Sequence, residues 1–351
     1  MTLADAIAPP LLTADLPGIG GRIKQEPEDF EVDEIPAYEP SGTGEHLYLW
    51  VEKRGMGAEY FIRQIARRLD VPPAEIGTAG LKDRHAVTRQ YVSVPGHLEP
   101  RLPQLEGDGI RLLKVNRHGN KLKPGHLRGN RFRILVRDAV KVPALDLCLQ
   151  RISEQGLPNF YGPQRFGHDG ETAQLGWKLL RRESGYIKQM FLRKLALSAA
   201  QSMMFNQYLA ERLRDGLLRT VLPGDVMMKW PGGGMFTAED VPTEQARLES
   251  REIIPGGPMF GKKTFPAHGI AAEREARILA AAELPDDAFD HFGKLLSGTR
   301  RHIFVYVDAL NAEWEEAGLR LSFTLPAGSY ATTLLREVMK GEVVAEENSD
   351  D

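Results

Sequence analysis

The feature that most constrains the fold is a break in texture between the middle of the chain and its two ends. Residues 159–305 read as helical tracts separated by Gly- and Pro-rich stretches, with PGGG at 231–234 and PGGP at 255–258. On either side the pattern is that of strands. In GNRFRILVR (129–137), Asn130, Phe132, Ile134 and Val136 share one face, and Arg131, Arg133, Leu135 and Arg137 the other. Leu319, Leu321, Phe323 and Leu325 alternate in the same way after the block. A chain of 351 residues is long enough for two domains. Strand signal on both sides of a helical block is what results when one domain is inserted into another. We therefore expect a discontinuous domain, 1–158 with 306–351, carrying an inserted domain at 159–305.

Finer elements follow from periodicity. Phe61, Ile65 and Leu69 recur every fourth residue, which predicts an amphipathic helix over about 58–69, closed by Pro72 and Pro73. Val87 to Val94 reads as a strand. Helical patterns run over about 188–214, 271–283 and 286–296. Ser329 is a good N-cap for a helix from Tyr330 to about Lys340, and an acidic disordered tail is expected at about 342–351.

Net charge is −3, but it is unevenly spread. The first fifty residues carry −8 and the last fifteen −5, so residues 51–336 carry +10. Within them, 111–137 holds nine Lys or Arg and no acid. Such a run fits a groove for a polyanion as well as a solvated surface strand.

Several classes are excluded. The single cysteine, Cys148, permits no internal disulfide framework and no multi-cysteine metal site. The nine histidines show no close metal-ligand spacing. GGPMFGKK (256–263) matches a phosphate-binding loop except that Lys263 stands where Ser or Thr must hold magnesium. Pro255, Pro258 and Pro266 also argue against a helix starting there, which disfavours a nucleotidase acting through Lys262. The first basic residue is Arg22, so the expected secretory start is missing, and a reducing, cytoplasmic setting is expected.

The constellation that carries chemistry is GLKDRHA (80–86). Asp83 stands between Lys82 and Arg84 in a turn leading into a strand. A positioned carboxylate serves as a nucleophile or a base, and equally as a local ion pair or turn former. Phe30, Phe132 and Tyr330 are aromatics beside polar or turn sequence, suited to stacking on a base or to a core.

With these stretches in view, the chain resembles the TruD family of tRNA pseudouridine synthases. The resemblance runs through most of the chain. It rests on KQEPEDFEVDEI (24–35), GTAGLKDRHAVTRQYVSV (77–94), GNRFRI (129–134) with NFYGPQRFG (159–167), and LPAGSYATTLLRE (325–337). It implies an α+β fold: a pseudouridine-synthase core with a mixed, largely antiparallel sheet and flanking helices, plus an inserted family-specific (TRUD) α/β domain. It implies that Asp83 is catalytic, as nucleophile or base, with Lys24 as its basic partner. Base or nucleotide contacts are implied at Phe30, Asn130, Phe132 and Tyr330, the last often Phe in the family. The expected reaction turns a tRNA uridine, number 13 of the D-arm, into pseudouridine without a cofactor. Phosphate contacts are expected at Arg117, Lys121, Lys123 and Arg131. The expected partner of this monomer is tRNA, with no metal and no membrane. A non-catalytic tRNA-binding or RNA-chaperone protein is the alternative; it would not need Asp83.

Overall fold

The computed structural model describes residues 7–183, 185 and 187–341. The tail expected at 342–351 lies outside the described residues. The chain forms two compact units. The first comprises Pro17–Leu149, Val307–Ala331 and the residues from Val338 on; the second comprises the residues up to Leu16, Gln150–Tyr306 and Thr332–Glu337.

The first unit is built on one eight-stranded sheet. Its strands are β1 (Phe30–Pro36), β2 (His46–Arg54), β3 (Gly77–Thr78), β4 (Val87–Pro95), β5 (Ile110–His118), β6 (Leu127–Arg137), β7 (Asp308–Glu315) and β8 (Gly318–Pro326). The order is β7-β8-β6-β1-β4-β2-β5, with β3 paired to β4. Only β1–β4 is parallel; the other pairs are antiparallel, so the sheet is mixed and largely antiparallel as expected. β8 lies against β6 with Phe323 opposite Phe132 and Leu321 opposite Ile134. The two stretches whose alternation was read separately are thus neighbours in one sheet.

The helix α1 (Ala58–Leu69) occupies the expected range and ends at Asp70, which adopts a left-handed φ of 52°. Phe61, Ile65 and Leu69 pack with Leu47, Leu49 and Val51 of β2 and Val92 and Val94 of β4. Leu49 and Ile65 are 0% exposed, and each such side chain contributes roughly 1.5–3 kcal/mol.

The second unit carries α2 (Glu171–Leu180), α3 (Met190–Arg214), α4 (Val241–Glu249) and α5 (Gly269–Ala282). A four-stranded sheet runs in the order Thr299–His302, Ile253–Met259, Val226–Lys229, Met235–Thr237. The PGGP stretch is therefore a strand rather than a loop, and every residue of it is buried. It pairs with one neighbour through Ile253–Pro255 and with the other through Gly256–Met259. Its glycines answer to close approach: a Cβ on Gly257 would lie 2.8 Å from the Phe205 ring of α3. The GGPMFGKK stretch, disfavoured as a phosphate loop, runs from this strand into a turn, where Lys262 pairs with Asp290 at 2.9 Å. The helix expected over 286–296 is shorter, a 3-10 stretch Asp290–Leu296 kinked at Gly293. The C-terminal helix spans Ala331–Met339. Among the described residues no helix is long and apolar enough to cross a membrane.

Candidate active site

Lys24 is fixed by its flanks. Arg22 and Arg137 exchange backbone hydrogen bonds of 2.8 Å in both directions. The turn Pro27–Asp29 follows, with the Asp29 carboxylate accepting from the Glu26 amide at 3.0 Å and from the Arg137 guanidinium at 2.8 Å through each oxygen. Burial would raise the Asp29 pKa, but the Arg137 fork and that amide hold it below the usual carboxylate value. Between these anchors Lys24 takes φ +58°, a conformation that costs a non-glycine residue roughly 1–2 kcal/mol. Its ammonium then lies 4.4 Å from the Phe30 ring centre and 3.5 Å from Asp83 Oδ1. Lys24 is largely enclosed, while the Asp83 side chain is 52% exposed.

Asp83 sits on the loop between β3 and β4. The Gly125 amide donates to the Ala79 carbonyl at 2.8 Å, and the Gly55 amide to the Ala86 carbonyl at 3.1 Å, so both ends of the loop are tied. The sequence places Lys82 beside Asp83 as a neighbouring charge, but the side chain turns away. Its Nζ donates to Glu34 Oε2 at 2.7 Å, in a pair 5% and 1% exposed, and Glu34 Oε1 accepts from the Tyr91 amide at 3.3 Å. The cation facing Asp83 is Lys24.

Sheet register sets what lies around this pair. Residues opposite one another project to the same face. Val32 is opposite both Thr88 and Phe132, and Glu34 is opposite Asn130. Phe30, Glu34, Thr88, Asn130 and Phe132 therefore share one face. Phe132 stacks on Phe323, with centroids 5.2 Å apart, and meets the Phe30 ring edge-on at 6.2 Å. Phe30 and Phe132 are only 2% and 6% exposed, so they form a floor rather than projecting rings. Thr88 Oγ1, Gln90 Oε1 and Asn130 Oδ1 are buried acceptors without a hydrogen-bond partner among the described residues. Gly129 must be glycine, because a Cβ there would stand 2.4 Å from the Leu325 carbonyl oxygen. That close approach brings the turn after β8 to the Asn130 end of β6; Tyr330, half-buried, follows this turn in the chain.

The basic stretch does not form a single surface. Arg131 projects from β6 on the face opposite Asn130 and Phe132. Arg117, on the edge strand β5, pairs with Glu99, and Lys121 donates to the Ala74 carbonyl. Lys123 is exposed in the loop that contacts Ala79 through Gly125.

Sequence reasoning missed Lys53, Glu34, Thr88 and Gln90. Each carries the same signal: a polar residue on the apolar phase of a strand. Lys53 follows Leu47, Leu49 and Val51 at intervals of two; Glu34 follows Phe30 and Val32; Thr88 and Gln90 precede Val92 and Val94.

The whole chain was compared with known proteins. The family model described as tRNA pseudouridine synthase D (TruD) matches residues 7–191 and 186–338. A protein of Anaeromyxobacter sp. (strain Fw109-5) named tRNA pseudouridine synthase D is 45% identical over 349 residues, covering 97% of this chain and 99% of its own. One of the same name from Thermus thermophilus is 45% identical over 337 residues, covering 95% and 93%. The crystal structure of the putative tRNA pseudouridine synthase D of Methanosarcina mazei superposes with a TM-score of 0.78 at 25% identity, covering 95% of this chain and 96% of that one. The fold and these similarities place the chain among the RNA-modifying isomerases. It belongs to the TruD family of tRNA pseudouridine synthases.

Proposed function

We propose that this protein isomerises a uridine of tRNA, the D-arm uridine numbered 13, to pseudouridine, with Asp83 as the reacting carboxylate and no added cofactor. The observation that carries this reading is the Lys24–Asp83 pair at 3.5 Å, with Lys24 poised over Phe30 at the edge of the Phe30–Phe132–Phe323 floor. The N1–C1′ bond of uridine breaks, the uracil turns, C5 bonds to C1′, and the C5 proton is given up while N1 gains one. Asp83 serves either by attacking C1′ or by removing a ribose proton. In both routes the nucleotide must leave its stack before the carboxylate reaches its sugar. Lys24 holds the carboxylate on the open side of the loop, Phe30 and Phe132 wall the uracil, and Asn130 and Tyr330 border it. The Gln150–Tyr306 part of the second unit is, on this reading, the inserted TRUD domain.

The test is tritium release from C5-labelled uridine in bulk unmodified tRNA, incubated with purified protein in EDTA and followed by mapping of the modified position. Release at a single D-arm uridine is expected. Binding without release would return the chain to the RNA-chaperone reading.

Phosphate contacts make a separate prediction. Each lost Lys or Arg contact makes the slope of log K against log salt shallower by about 0.7–0.9. Replacing Arg117, Lys121 and Lys123 together by Ala should therefore flatten the slope by about 2–3 in filter binding. An unchanged slope removes the 111–137 stretch from the RNA interface.

A further inference from the structure

Lys53 is the last buried residue of β2 and is 0% exposed. A buried ammonium is costly unless its donors are used. Its Nζ donates to the carbonyl of Met56 at 2.6 Å and to the carbonyl of Asp83 at 2.7 Å. Register places Lys53 opposite Thr88, in a row that continues through Val32 and Phe132 to Phe323. It therefore stands on the face that carries the aromatic floor. The loop bearing Asp83 is tied at Ala79 and Ala86, and between them, among the described residues, the Asp83 backbone is held by the Lys53 side chain. The Lys53 pKa is lowered to about 8, chiefly by burial, with the Asp83 charge working against the shift and the Lys82 charge adding to it. The lysine and the Asp83 carboxylate thus also interact electrostatically.

We propose that Lys53 is a positioning residue for the reaction: it fixes the backbone of Asp83 from inside the sheet while Lys24 faces the carboxylate from outside. The inference rests on Asp83 being the reacting group. It assigns the two lysines different tasks, one holding the loop and one facing the charge. A lysine kept only for stability behaves differently: its loss leaves two carbonyl acceptors unpaired and lowers the folded fraction, with no separate loss of rate in the folded protein.

The experiment uses the full chain and single-turnover tritium release from labelled tRNA, beside filter binding and thermal unfolding. Lys53→Met should lower the rate constant by about 100-fold, the scale of a misplacement of about 1 Å, with tRNA affinity within about two-fold. Lys53→Gln keeps N–H donors for a carbonyl, on a shorter side chain, and should regain part of the rate relative to Met. It also serves as the measured variant if Lys53→Met does not fold. Full rate in both variants, or rate and affinity falling together with the folded fraction, overturns the proposal. Asp83→Asn, run alongside, separates the two failures: an active Asn variant defeats the reading of Asp83, whereas an inactive one beside a fully active Lys53→Met defeats only the role of Lys53.

Discussion

Asp83→Asn should abolish product formation while leaving tRNA affinity within a few-fold. The amide keeps the shape of the carboxylate but cannot act as an anionic nucleophile or base. Removing a group that works only in the chemical step lowers turnover, on the order of 10⁴-fold or more, without loosening ground-state binding. The structure adds a reason to expect intact binding. The loop is held through Ala79, Ala86, the Lys82–Glu34 pair and the Asp83 carbonyl, none of which involves the substituted carboxylate. Tritium release at the wild-type rate would remove Asp83 from the chemistry and leave it as a charged turn residue.

The largest effect on stability is expected in the second unit, at Arg212 of α3. The side chain is fully buried and forks onto Asp225, Nη1 to Oδ1 at 2.8 Å and Nη2 to Oδ2 at 2.6 Å. It also donates to the Tyr208 hydroxyl and the carbonyls of Leu217 and Thr220. Burial works to lower the Arg212 pKa, but Tyr208 and Asp225 more than reverse this and hold it above the ordinary arginine value. The guanidinium therefore stays charged wherever the fold survives. Asp225→Ala strands that charge and should cost about 3–5 kcal/mol in urea unfolding. Replacing both partners, Arg212→Met with Asp225→Leu, should recover most of the loss, because no unpaired charge remains. A single variant as stable as the parent would show that water reaches Arg212.

Much of the fold was legible because it depends on period. The α1 stripe, the alternation of β6 and β8 and the long helix α3 each bury the face that the sequence marks as apolar. The strand Ile253–Met259 was not legible from its glycines and prolines, because composition records conformational freedom and not how closely a neighbouring helix approaches. The site was legible in part. Asp83 was singled out in GLKDRHA and given its role by the family resemblance, Lys24 was found through the resemblance alone, and the structure brings them together. The orientation of Lys82 was not legible, since its partner Glu34 lies 48 residues away and is a neighbour only once β1 and β4 have paired. How the basic stretch is distributed was not legible for a related reason. A charge run has no direction until strands give it faces, and β6 sends Arg131 away from Asn130.

The seating of β8 against β6 also bears on how the protein is made. Phe132 emerges from the ribosome about 190 residues before Phe323, the ring it stacks on. At the usual speed of synthesis that interval is roughly 10–40 s. Throughout it β6 has a bare edge on one side, the kind of edge that recruits foreign strands. The alternating arginines of β6, at 131, 133 and 137, lie along that edge and would discourage mispairing while it waits. The Phe132–Phe323 stack is complete only once the final strand has been delivered, so the nascent chain carries the Asp83 loop well before the aromatic floor is closed.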